Sequence, residues 1–292
     1  GFILVFLFFS CTAFDRFVTY GNMTFILQQT AIMAIVATGM LFVVVQGSID
    51  LSVGSILGIS GMVAADLAQK NIFLGLAAGV LVGATVGLCN GLIHTYLKIP
   101  SMIATLGMQK AIRGITILYS HSNSIMMEKS LKVIGKYPTI LFIMFGVLLI
   151  AYIVYNYTVF GRYCVACGGD ERVARLNGIP ATMISILVFI VSGILSGLAG
   201  VILAARLGAG VPTNGTGQEM EVVAAIALGG ASLSGGSGSI VNTFVGALII
   251  SMLSNGLVIL GVPSEAQDIC TGVVLILAVF ISLDRSKVGI IK

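Results

Sequence analysis

Charged residues are scarce in this chain of 292 residues. Only 9% of them are Asp, Glu, Lys or Arg, whereas a soluble domain carries roughly 25%. The formal net charge is +4, and the basic residues stand singly instead of forming a cluster that would grip a phosphate backbone. The composition therefore excludes an ordinary soluble enzyme, a disordered chain and a nucleic-acid-binding protein. With 58% hydrophobic residues, the chain is predicted to be a polytopic membrane protein.

Residues that commonly hold metals or carry out catalysis are also few. The chain has two histidines and five cysteines, and an odd number of cysteines disfavours a disulfide framework. Cys164 and Cys167 form a CxxC pair, but no second pair of ligands accompanies it at a matching spacing. No Ser/His/Asp set, HExxH motif or GxxxxGKS/T nucleotide loop is present. We therefore expect no catalytic site, no metal site and no cofactor bound by this chain.

Apolar stretches separated by short polar breaks predict an all-α fold of about ten transmembrane helices, since one span needs about 20 residues. The first half, residues 1–155, holds a partial first span, Gly1–Phe14, followed by Phe25–Val45, Leu51–Ala68, Ile72–Thr95, Pro100–Tyr119 and Pro138–Tyr155. The second half, residues 181–283, holds Ala181–Ala205, the short and broken Val222–Gly230, Ile240–Leu260 and Glu265–Leu283. Both halves are expected to form one membrane domain.

Residues 156–180, between the two halves, are the most charged part of the chain. If the first helix runs from inside to outside, the parity of the spans places this segment in the cytoplasm. The same parity places the C-terminal tail there, with Arg285, Lys287 and Lys292. The positive-inside rule agrees with this orientation.

Four short matches recur in the same order in both halves and suggest an internal duplication. Leu51-Ser52 matches Leu233-Ser234 with an offset of 182 positions, whereas the other three matches are offset by 163 to 165. Those three pair Val82-Gly83-Ala84 with Val245-Gly246-Ala247, Asn90-Gly91-Leu92 with Asn255-Gly256-Leu257, and Ile99-Pro100-Ser101 with Val262-Pro263-Ser264. The difference is about the length of one membrane helix. We infer that the second copy lacks one span, and duplicated halves with interrupted helices are typical of transporters.

Asp50 is the most informative single residue, because a carboxylate between two apolar stretches is costly unless its oxygens are satisfied. It either lines a path for a polar solute, or it caps the helix that starts at Leu51 by accepting from the Ser52 or Val53 amide. The two interpretations are compatible.

Other polar residues within the spans offer weaker candidates. The predicted path-lining residues besides Asp50 are Ser52, Gln28, Gln29, Asn90 and Ser234. For Gln28, Gln29 and Asn90, a hydrogen bond between helices is the alternative role. Lys110 and Arg113 share one face of the fifth span. They either meet the hydroxyls of a solute or play a structural role, snorkelling to an interface or bonding backbone carbonyls.

The segment 168–180 predicts a short helix. Asp170 and Glu171 suit its first turn, while Gly178 and Pro180 end it. A helix of about eight residues is marginal in water on its own, so it needs a docking partner. A soluble protein is the natural candidate.

Three ordered stretches resemble the ribose-type sugar permeases of bacterial ABC importers. They are Gly47–Ser55, Gly161–Ile179 and Ala224–Gly236, and the resemblance covers about residues 25–283. It departs from the family at Ser48, at Cys164 and Cys167, and at Glu219-Met220-Glu221, which is expected near the outer gate.

The resemblance implies a permease in a bacterial plasma membrane that imports a monosaccharide, ribose first among them. Its expected partners are a second copy of the chain, membrane lipid, two cytoplasmic ATPase domains that bind the ATP, and an extracellular sugar-binding protein. The residues expected to couple it to the ATPase are Asp170, Glu171, Arg172, Arg175, Leu176, Asn177 and Gly178. Alternatives are an importer of a nucleoside, inositol or autoinducer-2, or a self-sufficient secondary sugar transporter.

Overall fold

The computed structural model describes residues 1–282, which are almost entirely helical. The elements up to residue 157 are α1 (Phe2–Phe17), α2 (Tyr20–Val45), α3 (Val53–Ala68), α4 (Ile72–Tyr96), α5 (Ser101–Ser120), β1 (Ile125–Met126), a 3₁₀ helix (Leu131–Gly135) and α6 (Thr139–Tyr157). Those that follow are α7 (Val159–Gly169), α8 (Glu171–Leu176), α9 (Ala181–Leu207), β2 (Ala209–Gly210), α10 (Gln218–Leu228), α11 (Ile240–Ile259) and α12 (Ser264–Ser282). Leu283 and the predicted cytoplasmic tail with Arg285, Lys287 and Lys292 lie outside the described residues.

Several helices have the length and composition of membrane spans. Within residues 1–282, five helices are long and apolar enough to cross a bilayer, namely α2, α4, α6, α9 and α11. This confirms the predicted all-α membrane class. The helices α1, α3, α5, α10 and α12 correspond to the remaining predicted stretches, and the total of about ten spans stays a prediction.

Helix α2 forms the centre of the bundle. Every residue from Thr30 to Val45 is buried, and α9, α11, α6 and α10 pack around it. A helix that is apolar on all sides is most stable when other elements surround it completely. At its C-terminal end, Phe42 contacts the rings of Tyr155 and Phe160, which fixes α6 and α7 against α2.

Helices α4 and α9 form the most extensive helix pair because glycines line their contact. A Cβ added at Gly83 would overlap the carbonyl oxygen of Gly193, and one added at Gly87 would overlap that of Phe189. Small residues let two backbones approach closely, which is how membrane helices associate where lipid removes the hydrophobic drive between them. Helix α3 packs against both partners.

The bundle has two distinct ends, which we name after their elements. At the β end, β1 pairs antiparallel with β2, and the 3₁₀ helix lies against the last turn of α9, where Gly135 meets Arg206. At the α8 end lie α7, α8, the break between α2 and α3, and the Gly-rich loop 229–239. The hydroxyl of Tyr155 donates to the carbonyl oxygen of Gly238 at 3.0 Å there.

Two segments differ from the sequence-based expectation. The sequence predicts one short helix within residues 156–180, whereas the structure has two, because Val159–Gly169 is also helical and Thr158 caps it. Residues 208–217, between α9 and α10, lie outside every predicted span and yet do not stay at the β end: this inward loop runs along α3, so Gly215 reaches Gly54. Both are glycines, and a Cβ on either residue would overlap the backbone of the other.

The matched segments of the two halves occupy comparable places. Gly83 of α4 and Gly246 of α11 both lie where an added Cβ would overlap a carbonyl oxygen of a neighbouring helix. Helix α3 separates Leu51 from α4, whereas the described chain has no helix between Leu233 and α11. The missing helix accounts for the different offsets and agrees with a duplication whose second copy lacks one span.

We predict that Gly83→Ala lowers the thermal unfolding midpoint, because the new methyl group must push α4 away from α9. Overpacking typically costs 1–3 kcal/mol, which corresponds to a decrease of roughly 2–10 °C for a chain of this size. Since the chain has no tryptophan, fluorescence-detected size-exclusion chromatography of a GFP fusion after heating is the suitable measurement. Gly146→Ala on α6 is the control, because its Cβ would meet open space, and an equal decrease in both variants would contradict the prediction.

Candidate functional site

Asp50 is fully buried in the break between α2 and α3, where it accepts three hydrogen bonds. Its Oδ1 accepts from the backbone N–H of Ser52 at 3.0 Å and from the hydroxyl of Ser52 at 2.6 Å. Its Oδ2 accepts from the hydroxyl of Ser192, on α9, at 2.8 Å. Asn90, on α4, donates to the Ser52 hydroxyl oxygen at 2.8 Å. The four side chains join three helices around one carboxylate.

This geometry settles part of the interpretation of Asp50. The carboxylate does accept from the Ser52 amide, as the capping interpretation predicts, but α3 starts at Val53 and Ser52 occupies the N-cap position. The side chain therefore forms a turn just before the helix, the usual local role of an Asp that bonds two residues ahead. The path-lining role of Asp50, Ser52 and Asn90 stays a prediction, and all three are fully buried.

Four glycines at the α8 end bring the two breaks of the fold together, and we call Gly47, Gly168, Gly235 and Gly236 the glycine junction. The N–H of Gly236 donates to the carbonyl oxygen of Val45, the last residue of α2, at 2.8 Å. A Cβ added at Gly168 would overlap that same oxygen, and one added at Gly235 would lie 2.9 Å from the Cα of Gly47. The end of α7 therefore lies between the two interrupted segments, which are the break between α2 and α3 and the Gly-rich loop 229–239 after α10.

The predicted short helix is present as α8 and follows the glycine junction directly. Asp170, which the sequence places in the first turn, is the N-cap residue and accepts from the N–H of Val173 at 2.9 Å. Arg175 forms an ion pair with Glu171 at 2.6 Å and also donates to the hydroxyl of Thr182 at 3.2 Å.

The outer face of α8 is open. Leu176 is 81% exposed and Val173 51% exposed, while Arg172 and Asn177 are also exposed. Gly178 ends the helix with a φ of +79°, a conformation that glycine adopts without strain. The six-residue helix thus exposes an apolar pair rimmed by polar groups.

The structure does not gather the predicted path residues at one place. Asp50, Ser52 and Asn90 form the buried network, whereas Ser234 is exposed at the α8 end. Gln28 and Gln29 line a cavity of about 480 Å³ near the β end, where α2, α9 and α10 meet. We call this the Gln28 cavity, and its other lining residues are Phe25, Ile32, Leu203, Arg206, Leu207 and Gln218.

The contacts of Arg113, on α5, decide between the solute-binding and the structural role predicted for it. Its Nη1 donates to the carbonyl oxygens of Pro212 and Asn214 at 2.7 and 2.8 Å, so it holds the inward loop by bonding its backbone. Lys110, on the same helix, is exposed. The structural interpretation is therefore correct for Arg113.

A second polar contact lies beside this loop. Gln109 donates to Oε1 of Glu219 at 2.6 Å, while Oε2 of the same buried carboxylate has no hydrogen-bond partner in residues 1–282. Gln109, Arg206 and Gln218 are not among the site residues predicted from the sequence. The available signal was that Arg206 and Gln218 flank the inward loop, and α9 and α10 bring these two residues to one cavity.

The CxxC pair lies in α7, against the glycine junction. Both thiols are buried and free, and burial raises the pKa of Cys164 to about 12. A thiol with so high a pKa stays protonated at neutral pH and is a poor nucleophile. It packs as a small apolar side chain.

A family model described as the branched-chain amino acid transport system / permease component matches residues 22–279. The chain belongs to this permease family. The permease is 40% identical to the ribose import permease protein RbsC of Escherichia coli (strain K12), over 92% of this chain and 88% of that protein. It is 38% identical to ribose import permease protein RbsC of Bacillus subtilis (strain 168), over 91% and 85%. No solved structure matches the permease significantly.

A third relative is named after a different sugar. The permease is 37% identical to the L-arabinose ABC transporter permease protein AraH of Azospirillum brasilense, over 95% of this chain and 84% of that protein. Together with the apolar helices, the family establishes a multi-pass protein of the bacterial inner membrane.

We predict that Ser192→Ala destabilises the permease by about 1–3 kcal/mol, because it leaves Oδ2 of the buried Asp50 without its hydrogen bond. Ser196→Ala is the matched control on the same helix: its hydroxyl is buried and has no partner within the described residues. We expect the control to be neutral or slightly stabilising. Thermal midpoints of the two variants measured side by side test the prediction, and equal midpoints would show that the Ser192 bond contributes nothing.

Proposed function

We propose that the chain is the transmembrane permease subunit of an ATP-binding-cassette importer that brings a monosaccharide, ribose, into the cell. The observation that carries this proposal is the identity of 38–40% over about nine tenths of the chain to two ribose import permeases. The arabinose relative belongs to the same sugar class, since both sugars are pentoses.

The proposed division of labour places ATP on separate subunits. The chain carries no GxxxxGKS/T loop, and α8 offers an exposed Leu176 and Val173 to a soluble partner. In this proposal, two cytoplasmic ATPase domains bind at the α8 end, and an extracellular sugar-binding protein delivers the solute at the β end. The docking residues are those predicted from the sequence, Asp170, Glu171, Arg172, Arg175, Leu176, Asn177 and Gly178.

Polar side chains on outward helix faces support a second copy of the permease. Lys110 on α5 and Asp268 on α12 are exposed, although both helices belong to the bundle. Ionisable groups within the bilayer face protein or a water-filled path, because lipid cannot solvate them. A dimer that covers these two faces and encloses the path between them satisfies this requirement.

The buried network argues against a self-sufficient secondary transporter. Ion coupling through Asp50 requires a carboxylate that exchanges protons or sodium with a path. Asp50 is 0% exposed, and each of its oxygens already accepts a hydrogen bond from a serine.

The glycine junction gives the importer a mechanical connection. Because Gly168, in the last turn of α7, lies against Val45 and Gly236, any displacement of α8 by the ATPase acts directly on both interrupted segments. Backbone-to-backbone contact transmits such a displacement efficiently, because no flexible side chain lies between the two segments to absorb it.

We predict that Gly168→Ala lowers ribose uptake at least tenfold, because its methyl group would overlap the carbonyl oxygen of Val45 and separate the two breaks. Gly169→Ala is the neighbouring control, as nothing lies within 4 Å of its Cβ. Uptake of radiolabelled ribose by cells that depend on this permease is the measurement, with membrane content checked by immunoblot. Normal uptake in Gly168→Ala would remove the mechanical role of the junction.

We further predict that Arg175→Glu lowers both ribose uptake and sugar-stimulated ATP hydrolysis at least tenfold while the protein still inserts. The substitution replaces the ion pair with Glu171 by a repulsion, and an exposed pair contributes little to folding. The control is Arg162→Glu, an exposed arginine of α7 outside the docking helix. The assay uses the complete transporter in proteoliposomes, together with affinity purification to count the ATPase subunits retained. Full uptake by Arg175→Glu would count against docking through α8.

A further inference from the structure

We propose that the Gln28 cavity is a binding site for a neutral polyhydroxylated solute at the β end of the permease. This inference rests on the proposed function for the identity of the solute, whereas the site itself is argued from the cavity and its polar groups. The cavity of about 480 Å³ falls within the range of small-molecule sites, roughly 300–1,000 Å³.

Four polar side chains from three helices converge on this cavity: Gln28 and Gln29 from α2, Arg206 from α9 and Gln218 from α10. None of their amide or guanidinium groups hydrogen-bonds to another residue in the part of the chain that the structure describes. Each amide offers donors and an acceptor, and the guanidinium offers five donors in one plane. Polar side chains near a bilayer are costly when unsatisfied, so a set that shares one cavity indicates a polar occupant.

The orientation of Arg206 is fixed by a contact that leaves its hydrogen bonds free. Its guanidinium carbon lies 4.6 Å from the centre of the Phe25 ring, a cation–π distance. No N–H group of the guanidinium hydrogen-bonds to a residue within the described part of the chain, so these groups remain available to a ligand. A pre-oriented donor loses less conformational freedom on binding than a mobile one.

The balance of groups selects a neutral ligand over an anion. Three carboxamides accompany one cation, and the other lining residues, Phe25, Ile32, Leu203 and Leu207, are apolar. Carboxamides both donate to and accept from hydroxyls, as the hydroxyls of a sugar require. A phosphate site is typically built from several cations or backbone N–H groups, and this cavity does not have that composition.

The position of the cavity suits a site that binds the solute before the solute crosses the bundle. Gln218 and Glu219 are the first residues of α10, the helix that starts inside the bundle after the inward loop. A solute held by Gln218 therefore touches the same interrupted helix whose far end leads to the glycine junction.

The first test is protection from labelling in the isolated permease. Gln218→Cys in nanodiscs is treated with a maleimide, and labelling at that position is quantified by mass spectrometry. We expect D-ribose to slow the labelling at least threefold. No change with ribose, or protection by inorganic phosphate or phosphatidylglycerol vesicles instead, would overturn the proposal, the latter outcomes indicating an anion or headgroup site.

The second test uses the complete transporter. Loss of two hydrogen bonds in Gln28→Ala/Gln29→Ala is expected to raise the KM for ribose uptake about tenfold, and Gln28→Asn/Gln29→Asn should restore part of it. Gln69→Ala, a glutamine at the same end but outside the cavity, is the control. An unchanged KM in the double-alanine variant would overturn the site.

The two proposals fail separately in these tests. If wild-type permease imports no monosaccharide while ribose still slows the labelling of Gln218→Cys, the site stands and the importer assignment falls. If ribose import is intact while labelling and KM are unaffected, the importer assignment stands and this site falls.

Discussion

The fold of this permease depends on one constraint: within a bilayer, lipid cannot satisfy backbone N–H and C=O groups, so every interruption of a helix must be satisfied by protein. The described chain meets this requirement at each break. Gly236 donates to the free carbonyl oxygen of Val45 at the end of α2. Arg113 donates to two carbonyl oxygens of the inward loop. Asp50 accepts from the free N–H of Ser52 before α3.

These satisfied breaks concentrate polar groups where transport needs them. A helix that continued through residues 46–52 would pair all its backbone N–H and C=O groups within the helix. It would leave none of these groups to bond a neighbouring helix or a solute. The interrupted segments instead expose backbone groups to each other. The glycine junction then places the end of α7, which α8 follows directly, in contact with both segments.

Glycine serves a second purpose in this chain, which is to set the distance between helices. The contacts of Gly83 with Gly193 and of Gly54 with Gly215 are backbone-to-backbone. They leave no spare space between these segments in a bundle that must change shape. Because lipid supplies no hydrophobic drive, such packing and the Asp50 network take over much of the task of holding the helices together. Both are short-range, and both are released by small displacements.

The sequence by itself determined the membrane class, the order of the helices along the chain and the short helix after Gly168, because these depend on local composition and hydrogen bonds between near neighbours. The family also followed from three contiguous motifs. Only the tertiary structure decided that Asp50 bonds Ser192, 142 positions away, that Arg113 clamps the inward loop, and that Gln28 shares a cavity with Arg206 and Gln218. These contacts join residues far apart in the chain, and no local periodicity records which faces of distant helices meet.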